Sequence, residues 1–258
     1  MSRQHLGFHC EGSQLAGTLD NAPNTSGLLI VTGGNEIRSG AYSGQARLAA
    51  AIAQAGFPVF RFDRRGVGDS EGENRGFRES RADILAAISA FHGAVPGLNR
   101  IVAFGNCDAA SALMLIQGDR CDALVLSNPW TYEEDQSEEM PPDAIRSRYI
   151  EKLRNPAEVL RLLKGGVDLR KLARGLLLSF KPPPPPSSLA QEMAAGLDAS
   201  TKPYSILLAM GDRTARAFET VWDEQQGTVH RCEGASHSYV EPHARQWLED
   251  RILEMLHG

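Results

Sequence analysis

The sequence predicts an α/β fold built on a doubly wound, mostly parallel sheet. Its 258 residues are 42% hydrophobic and 23% charged, which is typical of a globular protein with one sizeable core. Short apolar runs alternate along the chain with segments in which apolar residues recur every three and four positions. Such runs are typical of parallel strands buried on both faces, and the intervening periodicity is typical of helices. We therefore expect a single domain spanning residues 1–258.

The first predicted element is an antiparallel hairpin made of two alternating segments, His5 to Glu11 and Gln14 to Asp20, which a turn-rich stretch at 21–27 ends. The apolar runs that predict parallel strands are Leu28 to Val31, Val59 to Phe62, Ile101 to Phe104, Ala123 to Leu126 and Ile206 to Ala209. The helical patterns between them are Ser43 to Ala55, Ser80 to Phe91 and Ala109 to Gln117. A last strand is predicted at Thr228 to Cys232 and a last helix from about Glu241. This alternation favours the doubly wound arrangement.

The alternation of strands and helices breaks between Trp130 and Pro203. This segment opens with an acidic run at 133–139, continues with amphipathic helical stretches and contains five consecutive prolines at 182–186. It is far longer than an ordinary connection between a strand and a helix. We interpret residues 131–202 as a helical cap insertion over the sheet's edge. The proline run favours a stiff, exposed polyproline II spacer over a docking ligand.

Charge and cysteine usage exclude several classes of function. The formal net charge is -5 and the basic residues are spread along the chain, so we expect no nucleic-acid partner. The four cysteines form no C-x-x-C pair, which predicts no metal site and indicates free thiols in a reducing compartment. The N-terminus has no apolar signal region, and no run approaches the ~20 apolar residues of a membrane span. We therefore expect a cytoplasmic protein.

A literal G-x-S-x-G motif occurs at 68–72 and contains Ser70. A nucleophile elbow needs a strand directly before this motif and a helix directly after it. The predicted strand has already ended by Asp63, and the glycines that follow Ser70 do not favour a helix start. We interpret Ser70 as a turn residue.

Cys107 has the context that Ser70 lacks. A buried strand pattern runs through a tight turn at Cys107 into an apolar helix pattern. Gly105 and Ala109 are small, as is required where strand and helix backbones pass close together. A helix N-terminus also favours the reactive thiolate. Cys107 is our candidate nucleophile, and the alternative is a small buried cysteine that fills space.

His237 and Asp212 are the candidate base and acid. On a sheet of this kind the order along the chain is nucleophile, acid and histidine. His237 lies in a loop of small residues between the last strand and the last helix, whereas the other candidates fall in a predicted strand or in helices: His230, His243, His92 and His257. Asp212 follows the strand that begins at Ile206. The alternative for Asp212 is an Asx-type turn cap.

The oxyanion of an acyl-transfer reaction needs two backbone donors. One is expected from the amide of Asp108, directly after the nucleophile. The other is expected from the loop after the first parallel strand, where Gly34 is our first choice and Asn35 the second. The alternative is a glycine turn with no role in binding.

Together these segments resemble the α/β-hydrolase superfamily, near its serine aminopeptidase and monoacylglycerol lipase-like branch. The resemblance rests on Val31 to Gly34, Phe62 to Ser70, the Cys107 turn, Gly211-Asp212 and the His237 loop. More narrowly, Gly33 to Glu36 and Gly105 to Ser111 resemble the exosortase A system-associated hydrolases, a bacterial group encoded beside exopolysaccharide and protein-sorting genes. Two residues depart from the pattern: Thr32 stands where many relatives carry histidine, and Cys107 stands where most carry serine.

The resemblance and the residues together imply acyl-transfer chemistry without a cofactor or metal. Cys107 would attack an ester-like or thioester carbonyl of a small-molecule or lipid-like substrate, and His237, oriented by Asp212, would activate the water that releases the acid. One alternative is an acyltransferase in exopolysaccharide or envelope biosynthesis, with partners from that system. Another is a catalytically silent hydrolase fold that binds a small ligand.

Overall fold

The computed structural model describes residues 2–132, 187–222 and 228–258. The eight strands of this part are β1 Ser2–Cys10, β2 Ser13–Asn21, β3 Ser26–Val31, β4 Val59–Phe62, β5 Arg100–Asn106, β6 Ala123–Ser127, β7 Tyr204–Ala209 and β8 Thr228–Cys232. Its α-helices are α1 Gly44–Gln54, α2 Arg81–Ala94, α3 Asp108–Leu115, α4 Ser188–Asp198, α5 Arg213–Val221 and α6 Pro242–His257. Short 3-10 helices occur at Ala41–Ser43 and Phe77–Glu79.

The strands form one sheet in the order β1-β2-β4-β3-β5-β6-β7-β8. The β1–β2 and β2–β4 pairs are antiparallel, and every other neighbouring pair is parallel. The predicted fold class, including its N-terminal hairpin, is therefore confirmed. The hairpin joins the sheet through β2, whose Gly17 to Asp20 stretch pairs with β4.

Helices cover both faces of the sheet. The parallel strands are therefore buried on both sides, and their sequences are unbroken apolar runs. On one face α1 and α6 pack against side chains such as Ile30, Val102 and Leu207. On the other face α2, α3, α4 and α5 pack against side chains such as Leu29 and Ala103. Successive residues of one strand therefore contribute to opposite cores.

The chain reverses its direction of winding between β3 and β5. It leaves β3 for β4 on one side and later returns to form β5 on the other side of β3. In a doubly wound sheet such a switch point opens a crevice at the carboxyl ends of the two strands. The loop that contains Gly34 follows β3, and Cys107 follows β5, so both lie at this crevice.

Most of the predicted cap, including its acidic and proline runs, falls within 133–186 and so lies outside the described residues. The described residues on either side of 133–186 contact each other, because the Ser187 hydroxyl donates to the Thr131 carbonyl at 2.8 Å. The predicted range 131–202 also contains α4, whose apolar face packs on α3 and joins the core beside the sheet. Within the described ranges, no helix is long and apolar enough to cross a membrane.

Gly105 offers a test of the close contact between β5 and α3. A Cβ atom at Gly105 would lie 2.7 Å from the backbone carbon of Ala109 and 2.8 Å from its oxygen. Because neither backbone can move cheaply, Gly105→Ala is expected to lower the free energy of unfolding by about 1–3 kcal/mol or more, as measured by urea denaturation. The matched control is Gly93→Ala in α2, where a Cβ meets nothing within 4 Å and helix propensity predicts a gain of up to about 1 kcal/mol. Equal stabilities of the Gly105→Ala variant and the wild type would contradict this packing.

Candidate active site

Cys107 occupies a sharp turn between β5 and α3. Its φ of 62° and ψ of −128° lie in a region that residues other than glycine rarely adopt. Such a conformation costs roughly 1–3 kcal/mol and persists only where its surroundings hold it. Here the Cys107 amide donates to the Ser127 carbonyl at 2.9 Å, and the Cys107 carbonyl accepts from the Ala110 amide at 3.1 Å. The turn presents the half-buried thiol at the carboxyl edge of the sheet.

The structure brings Cys107, His237 and Asp212 together, although Asp212 lies 105 positions after Cys107 along the chain. Nδ1 of His237 lies 2.8 Å from Oδ2 of Asp212, and the same imidazole is close enough to Cys107 to interact with its thiol group. Asp212 follows β7, and its Oδ2 also accepts from the Ala215 amide at 3.2 Å, which caps α5. One carboxylate therefore contacts the imidazole and also caps α5.

The environment of His237 favours its protonated form. Burial alone would lower the pKa of the imidazole, but its hydrogen bonds and charge interactions with Asp212 and Cys107 outweigh burial and raise the pKa to about 10. Burial would conversely raise the pKa of Asp212, but the bond to His237 and the amides at the start of α5 hold it below its usual range. The carboxylate is thus ionised at neutral pH and stabilises a positive charge on the imidazole.

Ser70 has a structural role, as the sequence predicted. Its hydroxyl donates to the Asp63 carbonyl at 2.7 Å and accepts from the Ala16 amide at 2.9 Å, which fastens the loop after β4 to the hairpin. The other histidines discussed from the sequence lie elsewhere: His230 in β8, His92 in α2, and His243 and His257 in α6.

The region predicted to hold an oxyanion contains a carboxylate in this structure. Gly34 adopts a positive φ of 53°, and its amide donates to Oδ1 of Asp108 at 2.7 Å. The carbonyl of Gly34 accepts from Nη2 of Arg64. Asn35 is tied through its side chain to Asn74 at 2.8 Å. Asp108 itself is the first residue of α3, so its amide has no partner within that helix.

Opposing effects act on the pKa of the Asp108 carboxyl group. Burial raises the pKa of its carboxyl group, and the charge of Arg64 together with the Gly34 and Ala109 amides opposes that rise. Oδ2 of Asp108 lies 3.8 Å from Nη2 of Arg64. The Asp108 carboxylate and the oppositely charged Arg64 therefore both bind the backbone of Gly34.

Sequence reasoning missed Asn128, which joins the strands beneath the site. Its side-chain amide donates to Oδ1 of Asn106 at 2.9 Å, and its oxygen accepts from the Ala209 amide at 2.8 Å. Asn106 in turn donates to the His237 carbonyl at 3.2 Å. This buried network connects the ends of β5, β6 and β7 to the histidine loop. The sequence signal was a polar residue two positions after an apolar strand pattern, and Arg64 after β4 shows the same signal.

A cavity of about 730 Å³ lies next to the histidine loop, between α1 and α6. Its described lining includes Tyr42, Arg47, Asn106, Tyr239 and Arg245. Neither Cys107 nor His237 is among these lining residues, so the cavity does not by itself define where an acyl group would bind.

No group of three or more histidine, cysteine or carboxylate side chains suited to a metal ion occurs in the described ranges. The groups that the structure brings together at the site are a thiol, an imidazole, a carboxylate and backbone amides. This set is suited to nucleophilic attack on a carbonyl carbon.

A family model described as serine aminopeptidase, S33, matches residues 23–174. No curated protein matches the sequence significantly. In structure, the chain is similar to the Pyrococcus furiosus esterase Pf2001, with 15% identity, a TM-score of 0.64, and coverage of 99% of this chain and 89% of that one. It is also similar to the α/β hydrolase GrgF from Penicillium sp. sh18, with 16% identity, a TM-score of 0.67, and coverage of 99% and 98%. A third similar structure is Est1E from Butyrivibrio proteoclasticus with bound ferulic acid, at 15% identity, a TM-score of 0.60, and coverage of 98% and 100%.

At these identities the structural similarities establish a shared fold. The family model covers more than half of the chain. Members of this family usually carry a serine nucleophile, whereas position 107 here is a cysteine. The chain belongs to the serine aminopeptidase, S33 family of α/β hydrolases.

Proposed function

We propose that the protein hydrolyses an ester-like or thioester acyl bond through a covalent intermediate on Cys107. The observation that carries this proposal is the placement of Cys107 next to His237, which hydrogen-bonds to Asp212, at the carboxyl edge of the sheet. Nucleophile, base and orienting acid in this order are the elements of a catalytic triad.

In the proposed reaction Cys107 reacts as a thiolate paired with protonated His237, and Sγ of Cys107 forms a bond to the acyl carbon. The carbonyl electron pair moves to oxygen, and its collapse expels the leaving group, which takes the proton from His237. Water then attacks the thioester and transfers a proton to His237. The collapse of this second intermediate releases the acid and regenerates the thiolate beside protonated His237. Asp212 holds the ring in place and stabilises its positive charge in both steps.

The oxyanion of each intermediate would be held by the amides of Asp108 and Gly34, with Asn35 as the alternative second donor. The position of Asp108 at the start of α3 supports its role, because helix N-termini stabilise negative charge. The positive φ of Gly34 supports a backbone that approaches the site closely.

The finer proposals follow from the sequence motifs. The segments Gly33 to Glu36 and Gly105 to Ser111 support a place among the exosortase A system-associated hydrolases, whose partners would belong to exopolysaccharide biosynthesis. The length of the excursion at 133–186 supports a cap that covers a small-molecule or lipid-like acyl substrate. If such a cap excludes water, an acceptor alcohol or amine would replace water, and the enzyme would transfer the acyl group.

Substitutions at the two competing nucleophiles test the reaction. With p-nitrophenyl acetate as substrate, Cys107→Ala is expected to abolish turnover, and Ser70→Ala to retain most of it. Cys107→Ser should retain some activity and depend more strongly on His237, because an alkoxide must be generated by the base during the reaction. Full activity of Cys107→Ala would refute the proposed function.

Alkylation distinguishes Cys107 from the other three cysteines. Cys10, Cys121 and Cys232 are each no more than 4% exposed, and burial raises the pKa of Cys10 to about 11 and that of Cys121 to about 12. Only Cys107 combines an accessible thiol with a neighbouring base. Iodoacetamide at neutral pH is therefore expected to label Cys107 first and to inactivate the enzyme, as followed by peptide mass mapping. Faster labelling of any buried cysteine would contradict this order.

Asp212→Asn tests the origin of the His237 pKa. The substitution removes the carboxylate that raises this pKa, while the burial that lowers it remains, so the pKa should fall from about 10. Turnover should fall by roughly 100-fold or more, because the ring loses its orienting acid. The imidazole signals in an NMR titration measure the pKa, and Glu219→Gln, which breaks an ion pair with Arg231 outside the site, is the control. An unchanged pKa and turnover in Asp212→Asn would assign the acid elsewhere.

A further inference from the structure

The carboxylate of Asp108 lies where the proposed reaction needs room for its oxyanion. Oδ1 of Asp108 accepts from the Gly34 amide at 2.7 Å, and we assign that amide to the oxyanion. A Cβ atom at Gly33 would lie only 2.5 Å from the same Oδ1, so the loop packs directly on the carboxylate. An ionised carboxylate and an oxyanion repel each other and cannot both bind one amide. In this arrangement the oxyanion site is closed.

Arg64 is a second binding partner for the same carboxylate. Its side chain is 3% exposed, and Nη2 lies 3.8 Å from Oδ2 of Asp108 while donating to the Gly34 carbonyl. Nε and Nη1 of Arg64 are buried and have no hydrogen-bond partner among the residues that the structure describes. Buried donors without acceptors are costly, and a guanidinium binds the two oxygens of a carboxylate particularly well. Arg64 can therefore bind a carboxylate through Nε and Nη1, beside the position in which the Asp108 carboxylate closes the site.

We propose that Asp108 gates the oxyanion site, closing it when its carboxylate binds the Gly34 amide and opening it when the carboxylate turns onto Arg64. This inference rests on the proposed function, because the gate matters only if the Gly34 amide stabilises an oxyanion. The turn involves the Asp108 side chain alone, so its own amide keeps its position at the start of α3.

The gate would affect which substrates react. Acylation must displace the carboxylate from Gly34, and the free energy for that displacement has to come from binding interactions elsewhere on the substrate. A small activated ester makes few such interactions and should therefore react slowly. A larger acyl substrate with more contacts would open the gate more readily.

A purely structural role for Asp108 predicts different behaviour. Its carboxylate also interacts with the Ala109 amide, as acidic residues commonly do in the first turn of a helix. If stabilising α3 were its only role, removing the carboxylate would lower stability and would not accelerate the reaction. An increase in rate therefore separates the gate from a helix cap.

The experiment measures acylation by p-nitrophenyl acetate under single-turnover conditions. Asp108→Ala should increase the acylation rate constant by about 10-fold, which is the scale of one hydrogen bond to a charged group. Asp108→Asn should give a smaller increase, because it removes the charge but keeps an acceptor oxygen. The control Asp119→Asn removes a carboxylate from a surface ion pair with Arg81 and should leave the rate unchanged.

Arg64→Met tests the open position. It should slow acylation in the wild-type background, where the carboxylate loses its second partner, but should leave the Asp108→Ala background unchanged. An equal loss in both backgrounds would show that Arg64 only supports the Gly34 loop and would overturn its part in the gate. Thermal unfolding of each variant checks that the comparison is made on folded protein.

Slower or unchanged acylation in both Asp108→Ala and Asp108→Asn would overturn the gate. In particular, a loss in Asp108→Ala with near-normal rates in Asp108→Asn would identify the carboxyl group as a donor to the oxyanion. Failure of the proposed function is distinguishable from these outcomes, because it appears as full activity in Cys107→Ala whatever Asp108 does.

Discussion

The strained turn at Cys107 is the constraint on which the arrangement of the site depends. A φ of 62° at a residue other than glycine is held by hydrogen bonds from β6 and α3, and it requires that Gly105 leave room for the helix. The same turn fixes the direction of α3 and so places the Asp108 amide beside the thiol. The loop after β3 reaches this point because β3 and β5 are parallel neighbours, with Val31 paired to Gly105.

Electrostatics at the site depend on two carboxylates that have different partners. Asp212 is held ionised by His237 and by the amides of α5, and it raises the pKa of the imidazole. Asp108 is buried beside Arg64 and binds an amide of the loop after β3. One carboxylate therefore supports positive charge on His237, and in the proposed reaction the other would compete with negative charge on the substrate. A thiol nucleophile suits this setting, since a thiolate needs less assistance from a base than an alkoxide does.

Much of the fold could be predicted from the sequence because burial on both faces gives parallel strands an unmistakable apolar pattern. Val59–Phe62 and Thr228–Cys232 were predicted with the bounds that the structure has. Chain order and strand ends restrict where a nucleophile, an acid and a base can stand, and the three residues predicted on that ground, Cys107, His237 and Asp212, lie together in the structure. The position of the Asp108 side chain could not be predicted, since periodicity places a residue on an element without fixing its rotamer. Asn128 was missed for a related reason: its partners come from two strands and the histidine loop, which only the folded sheet brings together.

Mass spectrometry of the trapped protein would show directly whether Cys107 becomes covalently acylated. The wild type would be incubated briefly with an activated acyl ester, quenched in acid and digested, and the acylated peptide would be sequenced. We expect one acyl group per chain, located on Cys107 and lost on mild treatment with hydroxylamine, as is typical of a thioester. A stoichiometric adduct on another residue, or turnover with no adduct on Cys107 under conditions in which acylation outpaces hydrolysis, would contradict this expectation.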